Sequence, residues 1–209
     1  KVIELKPIHI EASYIGTIEY QAAYQLQRNL WSLAKSKQQL SLIGLEHPAV
    51  MTLGRRMTGR FSIEQQQDIP IVQSTRGGLV TVHSEGQLVV YPIVDLKKIG
   101  LGVKDFVFLL LKTTQEVLSS YGLQTYTDDR NIGLYTEKGK IAFCGLEIKE
   151  GISLHGISIN ISNDLQLFSK IVSCGISNLN TDRVINHNPD VTLHEFFERW
   201  STQFIKNMN

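Results

Sequence analysis

Apolar residues recur at helical spacing in a few stretches of the chain, and elsewhere they alternate with polar residues or form short runs. From Thr17 to Ala34, Ile18, Ala22, Leu26, Leu30 and Leu33 share one face, and Thr17 is placed to cap the first turn, so an amphipathic helix is expected there. Helical periodicity returns over Val103–Ser120, with Gly122 as the stop, and over Thr192–Ile205. A shorter helix is expected over Asp164–Ser169. The runs Leu40–Leu45 and Val50–Leu53, parted by His47-Pro48, read as strands, as do the β-branched segments Ile69–Val72, Leu79–His83 and Leu88–Val94. Ile132–Tyr135, Lys140–Lys149 and Ile152–Ser162 form a second group, with turns at Lys138-Gly139 and Glu150-Gly151. In the last of these Ile157, Ile159 and Ile161 alternate with Ser158, Asn160 and Ser162, the mark of a strand with one buried face. Val2–Leu5 is a candidate edge strand.

Helices separated by groups of strands predict an α+β fold, a single domain over residues 1–209 with helices packed on a mixed, largely antiparallel sheet. The βαβ alternation of a doubly wound sheet is not apparent. The chain has 209 residues, which suits one core of substantial size. Its net charge of +1 provides no field that would select nucleic acid or an anionic membrane, although Arg55, Arg56 and Arg60 could receive an acidic partner. No apolar run is long enough to span a bilayer, and the first residues do not form a secretory signal. Two cysteines suit a reducing compartment, so a cytoplasmic location is expected.

Those cysteines differ in context. Cys144 lies within the apolar strand Ile141-Ala142-Phe143-Cys144-Gly145-Leu146, where a small filler is expected. Cys174 lies in Ile171-Val172-Ser173-Cys174-Gly175, at a loop, followed by a glycine that lets a backbone approach closely. Lys140 opens a strand, and plain alternation puts it on one face with Ala142 and Cys144, Ile141 and Phe143 on the other. The apolar phase shifts beyond Gly145, which suggests a bulge there. Arg76-Gly77-Gly78 offers free amides just before a strand that runs through Leu79, Val80, Thr81, Val82 and His83. His155-Gly156 sits, by alternation, on the face of Ile157 and Ile159. The six histidines are dispersed without metal-ligand spacing, and no phosphate-binding loop or serine nucleophile elbow occurs, so neither a metal nor a cofactor is expected.

Taken together these segments resemble the lipoyl(octanoyl) transferase family, the octanoyl-[acyl carrier protein]:protein N-octanoyltransferases. The resemblance runs through Glu46-His47-Pro48, Arg76-Gly77-Gly78 with Val80-Thr81 and His83, Gly86-Gln87-Leu88 and Tyr91-Pro92. It continues through Gly139-Lys140-Ile141-Ala142 and Gly145, His155-Gly156 with Asn160, Asp164-Leu165, and Cys174-Gly175. It implies a fold related to the catalytic domains of lipoate and biotin protein ligases. It implies Cys174 as the acyl-carrying thiol and Lys140 as its partner, with a substrate lined by Arg76 to His83, by Phe143, Cys144 and Gly145, and by His155, Gly156, Ile157 and Ser158. This chain departs from the family's pattern at Val82, Ser84 and Glu85, and at Ser173, where the family usually has proline.

The activity so implied is transfer of an octanoyl or lipoyl group from acyl carrier protein, through a thioester, to a lysine of a lipoyl domain, the first step of protein lipoylation. The implied acceptors are the lipoyl domains of 2-oxoacid dehydrogenases and the glycine cleavage H protein, served by a monomer. A thiolate suits both half-reactions, being a good nucleophile and a good leaving group. Three alternatives stand beside this one. An ATP-dependent ligase of the same fold would not need Cys174. A cysteine thioesterase would pair its thiol with His83 or His155. A module that only binds a carrier protein would form no adduct.

Overall fold

A computed structural model describes residues 9–57, 69–169 and 179–209; the expected strand Val2–Leu5, Arg60 and Cys174 lie outside these. Six strands form the main sheet: β1 (Ile10–Thr17), β2 (Leu40–Glu46), β6 (Gln87–Ile93), β9 (Ile152–Asn160), β8 (Gly139–Lys149) and β7 (Gly133–Thr136), in that spatial order. Within this sheet, among the described residues, β1–β2 is the one parallel strand pair. A small second sheet places β3 (Val50–Leu53) between β4 (Ile71–Gln73) and β5 (Val80–His83). The expected α+β architecture is therefore the observed one.

The pleat sorts the apolar residues into two layers. Leu42, Leu88, Val90, Ile157 and Ile159 face α2 (Val103–Ser120) and α3 (Leu193–Met208), whose Phe106, Leu110, Phe196, Trp200 and Phe204 complete the largest core. The buried Trp200 indole N–H is satisfied by the Thr114 hydroxyl at 2.8 Å, which ties the two helices together. On the opposite face Ile43, Leu45, Val89 and Tyr91 pack under Ala23 of α1 (Tyr20–Lys37). Beside α1, Met51 and Val82 of the small sheet meet Phe143 and Phe168.

The region before α1 differs from expectation. Thr17 does not cap the helix; it ends β1, pairing with Glu46, and the helix starts after Glu19 without a side-chain cap. The strand has only Ile10 fully buried, so its pattern carries little hydrophobic alternation. With β1 in place, β1–α1–β2 is a parallel crossover unit. At the other end, Thr192 does cap α3, its hydroxyl accepting from Glu195 N at 3.3 Å.

The expected bulge at Gly145 is absent. Pairing of β8 with β9 runs unbroken from Ala142↔Ile159 through Gly145↔Gly156 to Lys149↔Ile152. The irregularity lies on the other side of β8, where Leu134 faces Ala142 but Tyr135 faces Lys140, leaving Ile141 as the extra residue. The consequence is a change of face. Ile141 and Ala142 both enter the main core, and Lys140 moves to the side of Phe143 rather than sharing a face with Ala142 and Cys144.

One tight contact tests the packing of α3 on the sheet. A Cβ on Gly44 of β2 would lie 2.6 Å from Phe197 Cγ, inside contact distance. Gly44→Ala is expected to destabilise the fold by about 1–3 kcal/mol in urea unfolding. The loss should shrink in a Phe197→Leu background, and an unchanged midpoint for the single variant contradicts the packing described.

Candidate active site

Lys140 is a buried cation. Its side chain is 4% exposed, and its ammonium donates to Asn131 Oδ1 and to the Ile132 carbonyl, both at 2.9 Å. The rings of Tyr135 and Phe143 lie 5.4 and 5.0 Å from Nζ, close enough for cation–π attraction. The chain makes room for this arrangement at Gly133, where a Cβ would overlap Lys140 Cε and come within 3.1 Å of Nζ. Desolvation pulls the Lys140 pKa down to about 8, with Cys144 and Asp128 opposing the fall. No carboxylate among the described residues forms an ion pair with it.

The segment from 179 to 187 runs along this end of β8. Lys140 N donates to Asn180 O at 2.8 Å, and Asp182 N donates to Lys140 O at 2.9 Å. The approach is close enough that a Cβ on Gly139 would meet the Asn180 carbonyl carbon at 2.5 Å. Asp182 anchors the segment: its carboxylate accepts from Thr136 Oγ1, from Asn186 Nδ2 at 2.8 Å and from Arg183 N at 2.8 Å, and sits 2.6 Å from His187 Nε2. Burial raises the Asp182 pKa, but these hydrogen bonds outweigh it and leave the net shift downward. Earlier in the sequence, Phe168 stacks on Phe143 at 5.1 Å. Neither Asn131 nor Asp182 was singled out by pattern, since loop polar residues carry no periodicity.

The three segments expected to line a substrate do converge. β8 and β9 bring Phe143, Cys144 and Gly145 against Ser158, Ile157 and Gly156. The Arg76-Gly77-Gly78 loop closes over them, with Gly77 N donating to Leu146 O at 2.9 Å and a Cβ on Gly145 lying 3.1 Å from Gly77 O. Arg76 is itself buried and holds the loop from within. Its guanidinium donates to Thr52 Oγ1, Thr52 O, Gly77 O and Leu79 O at 2.7 to 3.1 Å. In β5, Val80 and Val82 join the cluster around Phe143 and Phe168, and the buried Thr81 hydroxyl has no hydrogen-bond partner among the described residues. The sheet separates others. Cys144 and Ile157 turn toward the helix-covered core, away from Phe143 and β5. Burial pushes the Cys144 thiol up to about 12.

His155 also departs from alternation. Its φ of 59° turns its ring away from the face of Ile157 and Ile159 and stacks it on Tyr24, 5.5 Å between centroids. A left-handed conformation at a non-glycine residue costs about 1–2 kcal/mol. Gln27 of α1 accepts from His155 N at 2.6 Å, and Thr75 Oγ1 lies 2.9 Å from Nε2. The next residue, Gly156, lets β6 pass, since a Cβ there would come 2.7 Å from Pro92 Cδ. Beside His155 lie Tyr91, His47 and His83: His47 Nε2 meets the Tyr91 hydroxyl at 2.7 Å, and His83 Nδ1 meets Gln87 Oε1 at 2.7 Å. No group of three or more metal-binding side chains occurs among the described residues, and none of their helices is long and apolar enough to cross a membrane.

This fold and these converging segments define a catalytic domain of the lipoate ligase kind. The model of the lipoyl protein ligase A/B catalytic domain matches residues 19–205, and the chain belongs to that family. It is 36% identical to an octanoyltransferase of Halorhodospira halophila over 177 residues, covering 84% of this chain and 81% of that protein. It is 31% identical to an octanoyltransferase of Pseudomonas fluorescens, over 93% of this chain and 90% of the other. Among solved structures, a bi-partite lipoate protein ligase from Thermoplasma acidophilum superposes with a TM-score of 0.68 at 14% identity, over 95% of this chain and 84% of that one. A biotin protein ligase from Aquifex aeolicus, with biotin and ATP, superposes at 0.60 and 11% identity, over 95% and 70%.

The buried histidines make stability depend on pH. Desolvation holds His47 at about 4 and both His83 and His155 at about 3, with neighbouring histidine and arginine charges adding to the effect at the latter two. The folded values lie below the ordinary 6.5, so the unfolded chain binds more protons as pH falls below that value. Each histidine therefore removes up to about 1.4 kcal/mol per pH unit on acidification. Stability measured by guanidinium unfolding should fall between pH 7 and 5, and His83→Gln should flatten the slope. An equal slope in the variant contradicts a buried neutral His83.

Proposed function

We propose that the chain is an octanoyltransferase that carries the acyl group on Cys174, with Lys140 as its catalytic partner, residues 1–209 acting as one catalytic domain. The observation that carries this reading is the desolvated Lys140 ammonium, held by neutral oxygens beside the converged substrate segments. Such a group stabilises an adjacent thiolate as a cation, and with a pKa near 8 it can also release and take up a proton. Covalent geometry is compatible. Cys174 is five positions along the chain from Ser169 and five from Leu179, at most about 18 Å of extended chain on either side. Both flanks are fixed next to Lys140, through Phe168 on Phe143 and Asn180 on the Lys140 amide. Of the two cysteines, Cys144 is held protonated well above neutral pH, which supports Cys174 as the nucleophile.

In the first half-reaction the Cys174 thiolate attacks the octanoyl carbonyl of a thioester on acyl carrier protein. A new carbon–sulfur bond forms, the old one breaks, and the carrier leaves as a thiolate that takes up the Lys140 proton. In the second, the amine of a lipoyl-domain lysine attacks the Cys174 thioester. An amide forms, Cys174 leaves as a thiolate, and the proton lost by the amine passes to the now neutral Lys140, which restores the starting ammonium–thiolate pair. Thioester exchange is nearly balanced, while amide formation is downhill and draws the sequence forward. The acceptors are lipoyl domains of 2-oxoacid dehydrogenases and the glycine cleavage H protein, and the setting is the cytoplasm.

The 36% identity to an octanoyltransferase, against 11–14% to the ligases cited, supports transfer from a thioester over ATP-dependent ligation. A histidine-paired thioesterase fits poorly. His83 and His155, at about 3, are too weakly basic to take a proton from a thiol near neutral pH. Mixing the protein with octanoyl-carrier protein should add one octanoyl mass, removable by hydroxylamine and mapping to Cys174. Transfer should proceed without nucleotide and in the presence of EDTA. A label on Cys144, or a strict need for ATP, overturns the assignment.

A further inference from the structure

The reading of Lys140 as a catalytic group leaves open what decides its position and its charge. Its ammonium meets two acceptors, and both are uncharged: the Asn131 carboxamide oxygen and the Ile132 carbonyl. Lysine is a donor only, so the carboxamide must present its oxygen rather than its nitrogen. Asn131 is held for this task at both sides of its own backbone. Its N–H donates to Asp128 O at 3.2 Å, and its carbonyl accepts from the Tyr135 hydroxyl at 3.0 Å. The same Tyr135 ring flanks the ammonium, with Phe143 on the other side.

We propose that Asn131 is a positioning residue for Lys140, its side-chain oxygen aiming the ammonium between Tyr135 and Phe143 without adding a negative charge. This rests on the proposed role of Lys140. A carboxylate at the same place would make a buried ion pair and hold the proton. A neutral oxygen fixes direction and leaves the proton free to move. Among the described residues no other group around Nζ makes a direct ion pair with it, although the Asp128 charge raises its pKa. Asp128, from the loop before Asn131, lies 3.6 Å from Arg130 and accepts its N–H. Cys144, on β8, is held protonated. The Tyr135 hydroxyl is engaged with Asn131, and Asp182, in the strand-like segment alongside, is engaged with Thr136, Arg183, Asn186 and His187.

The test uses the full chain carrying 13C-labelled lysine, with the Lys140 Cε signal assigned by its loss in Lys140→Arg. Asn131 is solvent-exposed and in a loop, so its variants are expected to fold. The signal should titrate near 8 in the unaltered protein. Asn131→Asp should raise the midpoint by about one unit or more, and Asn131→Ala should lower it. With a one-unit rise, the amide-forming step at pH 7 should slow about tenfold and recover as pH is raised. A loss from misfolding would not recover in that way. A midpoint that stays put in both variants overturns the proposal. Shifted midpoints in a protein that transfers no acyl group sustain the positioning role and sink the proposed activity instead.

Discussion

A single buried ammonium organises this end of the molecule. Placing a lysine head group out of water is unfavourable unless something meets its donors, and here the donors meet neutral oxygens and ring faces instead of a carboxylate. That choice keeps the charge easy to lose. It also dictates local structure: Gly133 has no side chain because Lys140 Cε occupies the space, and Ile141 is squeezed out of register so that Lys140 can face the cleft. The segment from 179 to 182 then seals the backbone of Lys140, anchored by the network around Asp182.

The opposite wall depends on a second buried cation used quite differently. Among the described residues the Arg76 guanidinium meets uncharged oxygens of Thr52, Gly77 and Leu79, so it shapes the Gly77-Gly78-Leu79 turn rather than pairing with a carboxylate. Close approach of three backbones follows. A Cβ on Gly54 would come 2.8 Å from the Gly78 carbonyl carbon, and one on Gly145 would press on Gly77 O. Behind this wall burial keeps His47, His83 and His155 uncharged, and the Arg76 charge adds to the effect at His83 and His155. The Thr81 hydroxyl, without a partner among the described residues, lies in the strand that this turn feeds.

Much of this was legible in the residues alone. Val103–Ser120 is strongly amphipathic and was readable to the residue, and most strands were bounded by glycine or proline turns. The first strand was hidden because just one of its residues is fully buried, which removes the alternation that marks a strand. Faces were harder than elements. Alternation assigned Lys140 to the side of Ala142 and His155 to the side of Ile157, and both assignments failed for local backbone reasons. A bulge and a positive φ reverse a side chain without leaving a hydrophobic signature. Polar groups held by loops, Asn131 and Asp182 among them, are set by tertiary contacts that no periodicity encodes.

The central claim is that Lys140 and Cys174 act as a pair. Its most direct test is the pH dependence of Cys174 alkylation by iodoacetamide, measured in a Cys144→Ala background to remove the other thiol. With Lys140 present, the midpoint should lie below the value of about 8.5 typical of a free cysteine. Lys140→Ala should move it upward by about one unit or more, because the cation that favours the thiolate is gone. Superimposable alkylation profiles with and without Lys140 would contradict the pairing.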